Sequence, residues 1–136
     1  GRVEVGLKAF WPDTQVIFQE IAKNPELQRL KKGSLHLTYQ QQIAAGELVG
    51  KLLEKRKEEE AENIISAVSN FTEDLKEQKL FGEKMILNTA FLIKKGKERE
   101  FAREVGILAY SFPNTKLNCS GPFPLYNFVS LKINLS

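Results

Sequence analysis

The 136-residue chain holds one cysteine, one histidine and no apolar run near the roughly 20 residues that a membrane-spanning helix requires. Each shortage excludes something. Cys119 has no internal partner for a disulfide, so the fold must stand on packing, and a reducing cytoplasm is the simpler compartment to assume. His36 lies between Leu35 and Leu37, which reads as structural; a His-based triad or a His-rich metal site has no support, and zinc lacks ligands. No short apolar stretch with a basic start opens the chain, so neither a signal peptide nor membrane insertion is expected. No phosphate-cradling Gly-x-x-x-x-Gly-Lys occurs, and Gly33 and Gly96 stand alone as loop glycines. Charge of one sign is also scarce: 20 Lys and Arg face 17 Asp and Glu, and the net +3 is spread among both signs. That is a solvated surface, not a nucleic-acid footprint. No internal repeat appears.

What is present is a core. Apolar residues make up 42% of the chain, enough for one domain without a covalent staple. From Arg2 to Trp11 the residues alternate: Val3, Val5, Leu7, Ala9 and Trp11 share one face, and Arg2, Glu4, Gly6 and Lys8 share the other. Pro12 stops this strand and Asp13 can cap a short helix, so residues 12–37, punctuated by Asn24-Pro25 and Gly33-Ser34, are predicted to be an insertion of short helices. Thr38 can cap a long helix reaching Phe71, with Tyr39, Ile43, Val49, Leu52, Leu53, Ile64, Ile65, Val68 and Phe71 near a 3.6-residue period. Its middle, Lys55 to Glu60, interrupts the apolar stripe. Those turns are expected to project into water and be held by pairs such as Lys55 with Glu59. Glu58, Glu59, Glu60 and Glu62 point in different directions along a helix and do not converge on a cation.

Asp74 to Leu80 carries Lys76 and Lys79, the residue type that protects sheet edges, and is expected to be an edge strand. Met85 to Ile93 is predicted to be a central strand, with Met85, Leu87, Phe91 and Ile93 on one face and Ile86, Ala90 and Leu92 on the other. Phe101, Val105, Leu108 and Phe112 mark a helix from Lys97 to Phe112, ended by Pro113-Asn114. Thr115 to Ser120 alternates as a last short strand, with Cys119 on its apparent core face as a small buried hydrophobe. The resulting βαββαβ order is the ferredoxin-like arrangement, an α+β antiparallel sheet with both helices on one face. The expected organisation is a ferredoxin-like domain over residues 1–120 and a Pro/aromatic extension over 121–136. Because the RNA-recognition motif shares this order, RNA binding would need stacking aromatics on the outward strand faces; they are missing, so RNA is not an expected partner. The strip Ile86, Ala90 and Leu92 suits protein contact instead.

Gly121-Pro122-Phe123-Pro124-Leu125-Tyr126-Asn127-Phe128-Val129 is the most specific stretch of the chain. Two prolines with fixed φ among three aromatics make a stiff connector that displays large rings. Beyond it Val129, Leu131, Ile133 and Leu135 alternate, as if the chain returned as one more strand. The segment resembles a signature of the gas-vesicle accessory family of GvpF and GvpL, which reads Gly-Pro-Trp-Pro-Pro-Tyr-x-Phe-Val. It departs at Phe123, where tryptophan is usual, and at Leu125, where proline is usual; Asn127 fills the variable position. Three more stretches are similar to that family in order along the chain. They are the first strand with Val5, Leu7, Phe10 and Trp11, the long helix with Tyr39, Ile43, Gly46 and Val49, and Met85 to Leu92.

The resemblance implies the C-terminal part of a longer protein, without an N-terminal domain. It further implies a non-catalytic accessory protein of gas vesicles in the prokaryotic cytoplasm, contacting the shell protein GvpA and other gas vesicle proteins during assembly. No enzyme activity, cofactor or metal belongs to that expectation, and neither nucleic acid nor membrane insertion does. Phe123, Tyr126 and Phe128, the strip Ile86, Ala90 and Leu92, and an open sheet edge are the candidate contact regions. The competing reading is a ferredoxin-like regulatory domain that binds a small molecule; its usual Gly-rich turn after the first strand is here Pro12-Asp13.

Overall fold

A computed structural model describes residues 1–31 and 36–128. The elements are β1 (Arg2–Phe10), α1 (Thr14–Ile21), α2 (Pro25–Lys31), α3 (Tyr39–Val68), β2 (Asp74–Glu77), β3 (Met85–Lys94), α4 (Glu98–Ser111) and β4 (Lys116–Phe123). The strands form one sheet in the order β2-β3-β1-β4, and every neighbouring pair is antiparallel. This is the βαββαβ arrangement that the sequence pattern predicts, with β1 and β3 in the middle.

Local chemistry explains where the helices start. The Asp13 carboxylate accepts the Gln15 N–H at 3.0 Å, and Asn24 accepts Glu26 N–H at 2.9 Å just before Pro25, which sits at the first helical position. Thr38 and Gln41 close a reciprocal capping box: Gln41 N–H donates to Thr38 Oγ1 at 3.2 Å and Thr38 N–H to Gln41 Oε1 at 2.9 Å. The 30 residues of α3 then run about 45 Å at 1.5 Å each, ending in a 3-10 turn at Ser69–Phe71.

The core lies between the sheet and the helices. Val5, Leu7 and Ala9 of β1 and Leu87, Phe91 and Ile93 of β3 meet Ile64 and Val68 of α3 and Phe101, Val105 and Leu108 of α4. Phe91 and Phe101 pack with ring centroids 5.3 Å apart at an interplanar angle of 52°. Ile17, Ile21 and Leu27 bring α1 and α2 into the same cluster. Fully burying aliphatic or aromatic side chains of this kind stabilises by about 1.5–3 kcal/mol apiece.

Three side chains are placed differently from their sequence pattern. The pairing of β1 with β3 slips one residue, since Ala9 faces Leu87 but Phe10 faces Met85. Ile86 is the extra residue of this bulge, and it joins the core cluster beside Leu87 and leaves the outer face. Cys119 is exposed, not buried: β4 is an edge strand, and being opposite the fully buried Leu7 does not bring cover with it. Glu60, expected among solvated carboxylates, is 8% exposed. The possible strand over 129–135 lies outside the described residues.

Candidate functional site

The face of the sheet away from the helices carries, across β3 and β1, the pairs Leu92 with Glu4, Ala90 with Gly6 and Asn88 with Lys8. A strap formed by residues 124–128 crosses this face from β4 toward β2. β4 itself runs on through Gly121-Pro122 to Phe123, which faces Glu4. The peptide before Pro122 is cis, and Gly121 has φ +102°. A Cβ at Gly121 would lie 3.0 Å from the Glu4 carbonyl oxygen, so glycine is required there by conformation and by space.

Glu4 is the latch of the strap. Its Oε1 accepts the backbone N–H of Tyr126 at 3.0 Å and of Asn127 at 2.7 Å, and its Oε2 accepts Asn127 Nδ2 at 2.6 Å. The residue is only 4% exposed, and three donors on one carboxylate satisfy it without a cation. At the far end Gln78 Nε2 donates to Asn127 Oδ1 at 2.7 Å and Lys76 Nζ to the Asn127 carbonyl at 3.2 Å. Asn127, the variable position of the signature, thus joins Glu4 of β1 to Gln78, just past β2, through its side chain, and to Lys76 of β2 through its carbonyl.

The aromatics of the segment divide by role. Phe128 is 5% exposed, whereas Phe123 is 45% and Tyr126 80% exposed. Ala90 is buried in the floor below the strap, Leu92 is half-buried beside Glu4, and Ile86 is in the core on the other side. Ile86, Ala90 and Leu92 therefore do not form an open strip. Phe123 and Tyr126 remain the exposed members of the predicted set. Burial of Glu4 had no local signal, because the residues that cover it are more than 120 positions away in sequence.

A second polar node lies on the helix side. Glu60 Oε2 accepts Trp11 Nε1–H at 2.9 Å and the Thr115 hydroxyl at 2.8 Å, and its Oε1 accepts Arg56 Nε–H at 3.1 Å. Arg56 also reaches Glu20 at 2.6 Å. Burial acts to lower the Arg56 pKa, but hydrogen bonding and charge from Glu20 and Glu60 outweigh it and hold the pKa above its ordinary value. Lys57 stands 5.8 Å from the Trp11 ring centroid. Only part of the charged middle of α3 faces water, with Lys55 and Glu59 paired at 3.9 Å.

Among the described residues no group of three His, Cys, Asp or Glu side chains is placed to hold a metal, and no helix is long and apolar enough to cross a membrane. Although Cys119 is exposed as a residue, partial desolvation raises the pKa of its thiol, the opposite of what activates a nucleophile.

The profile of the family described as "Gas vesicle synthesis protein GvpL/GvpF" matches residues 1–130. Gas vesicle protein F of Streptomyces sp. (strain CB03234) is 28% identical over 131 residues, covering 94% of this chain and 55% of that protein. The crystal structure of the gas vesicle protein GvpF from Anabaena sp. PCC7120 superposes with a TM-score of 0.85 at 25% identity, over 94% of this chain and 54% of that one. GvpF from Microcystis aeruginosa shares the fold at a TM-score of 0.74 and 24% identity, with the same coverage. The chain spans about half the length of the relatives it matches.

Proposed function

The chain belongs to the GvpL/GvpF family of gas vesicle synthesis proteins, and from that premise we propose that it serves gas vesicle assembly as a non-catalytic binding surface. Its partner in this reading is the shell protein GvpA, and its place is at the gas vesicle within the prokaryotic cytoplasm. One observation carries the choice of surface. Phe123 and Tyr126 stay exposed although their backbone is fixed, on one side by pairing with β1 and on the other by the Glu4 latch. Rings carried on a fixed backbone lose less conformational freedom on binding than rings on a loose loop, which favours aromatic anchors in protein interfaces. Phe123 ends β4 and Tyr126 follows it, and the outer edge of that strand has no strand neighbour among the described residues and can accept a partner strand.

The test is a pull-down with GvpA that compares the wild type with a Phe123→Ala, Tyr126→Ala double variant. Both side chains are exposed, so the variant should melt as the wild type does; lost capture then supports the contact. Unchanged capture by an equally stable variant overturns it. Phe128→Ala is the control for packing, since its burial ties any loss of capture to a loss of stability.

A further inference from the structure

The strap does not fill the face it crosses. Between it and the strands lies a cavity of about 490 Å³, within the range of small-molecule sites. The floor is low because β3, β1 and β4 place Ala90, Gly6 and Ser120 side by side in one cross-strand row. Phe123 at the end of β4 and the strap residues Pro124 to Tyr126 form an apolar wall over it. One row further along the strands, Lys8 stands at the lip, opposite Asn88 on β3 and Asn118 on β4.

The two charges that line this space differ in their state. Glu4 is saturated by three strap donors and has little left to offer a ligand. Lys8 is exposed and forms no ion pair among the described residues. A half-open space with an apolar strap wall and one ammonium free of ion pairs at its rim favours an apolar body carrying one negative charge. A neutral apolar molecule would fill the space but leave Lys8 unused, and a cation would face the Lys8 ammonium and find the oxygens of the Glu4 carboxylate already taken by the strap donors.

We propose that the cavity beneath the strap binds small apolar carboxylates, with a ring or short alkyl chain over the Ala90, Gly6 and Ser120 floor and the carboxylate on Lys8. The site is built from this chain's own strands and strap and does not depend on the vesicle role. A ligand seated there touches strap and sheet together, so it holds the strap down and raises the melting temperature by linkage.

The experiment is a calorimetric and NMR titration with 3-phenylpropionate, 3-phenylpropanamide and 3-phenylpropylamine as probes. The acid should bind about tenfold more tightly than the amide, because a charge-assisted contact replaces a neutral one, and the amine should bind least. Lys8→Gln, a change at an exposed side chain, should bring the acid to the level of the amide and leave the amide unaltered. Ala90→Leu fills the floor from the central strand and Ser120→Leu from the exposed edge strand; whichever melts as the wild type does should bind none of the three. The proposal is overturned if no probe saturates at concentrations up to about 10 mM. It is equally overturned if acid, amide and amine bind alike, if Lys8→Gln binds the acid unchanged, or if a stable cavity-filled variant still binds.

Discussion

Replacing Glu60 by alanine should destabilise the protein more than any other single change in the charged middle of α3. The loss follows from its partners. Trp11 is 1% exposed and its indole N–H has the Glu60 carboxylate as its acceptor at 2.9 Å. Left unpaired in that setting, the N–H costs about 1–3 kcal/mol. The Thr115 hydroxyl, on an 8% exposed residue, loses the same acceptor and adds about 1 kcal/mol, less than the indole because it can rotate toward another. Arg56 keeps Glu20, and its side chain is 30% exposed, so its share is small after screening. The three losses share one carboxylate and do not add fully, which gives about 3 kcal/mol for Glu60→Ala. At about 4 °C per kcal/mol for a chain of this size, the melting temperature should fall by roughly 12 °C. Glu60→Gln keeps an oxygen for Trp11 and Thr115 but turns an amide N–H toward Arg56, and should cost about half as much. Trp11 is the sole tryptophan, so its emission reports this node directly. Denaturant unfolding followed by tryptophan fluorescence is therefore the assay. A Glu60→Ala protein that loses under about 1 kcal/mol, with native emission unchanged, would refute the assignment of the carboxylate as a structural acceptor.

Two further outcomes concern the sheet. Glu4→Ala should free the strap without unfolding the core, because the three bonds it removes all run to residues 126 and 127. Amide exchange at Tyr126 and Asn127 should accelerate at least about tenfold while exchange in β1 and β3 stays slow; equal protection in the variant would show that Glu4 is not the latch. Cys119 should be a sluggish thiol. Desolvation raises its folded-state pKa, so at any pH near neutrality it carries less thiolate than an unstructured cysteine, and its alkylation profile should be displaced to higher pH. The sign for stability follows: the contribution is present below the ordinary thiol pKa and is lost as pH rises through the raised one. An alkylation profile matching that of a free cysteine, or displaced to lower pH, would contradict the desolvation.

Much of the fold was legible because its strongest signals are local. Val3 to Ala9 alternates without interruption, Thr38 stands as a cap just before an apolar stripe of helical period, and Phe101, Val105 and Leu108 step along one helix face. The misplacements have a common physical origin: periodicity gives the face of a residue and says nothing of what covers that face. Cys119 shares the face of Leu7 but sits on an edge strand. Glu4 shares the outward face of Lys8 but lies under the strap. Ile86 fails for another reason, because a bulge shifts the parity of every position before it and nothing in Met85-Ile86-Leu87 announces one. Glu60 shows that one charged residue in a solvated run can be recruited by a tryptophan far away in sequence.

In the Pro/aromatic segment some side chains are covered by the sheet and others are left in water. Its glycine fits against the Glu4 backbone, its two backbone N–H groups and its asparagine bind the Glu4 carboxylate, and Phe128 is buried at its end. Those features require only that the segment lie across the sheet. They do not require Phe123 and Tyr126 to be aromatic, since neither ring is buried by the fold that holds it. Rings left open to water, on a backbone with strong reasons for its path, are the part of the segment available to a partner. A fold-stabilising role predicts that Phe128 and Glu4 variants lower the melting temperature and Phe123 and Tyr126 variants do not. A binding role predicts that Phe123 and Tyr126 variants lose capture of GvpA at an unchanged melting temperature, whereas any loss of capture in Glu4 and Phe128 variants follows their loss of order or stability.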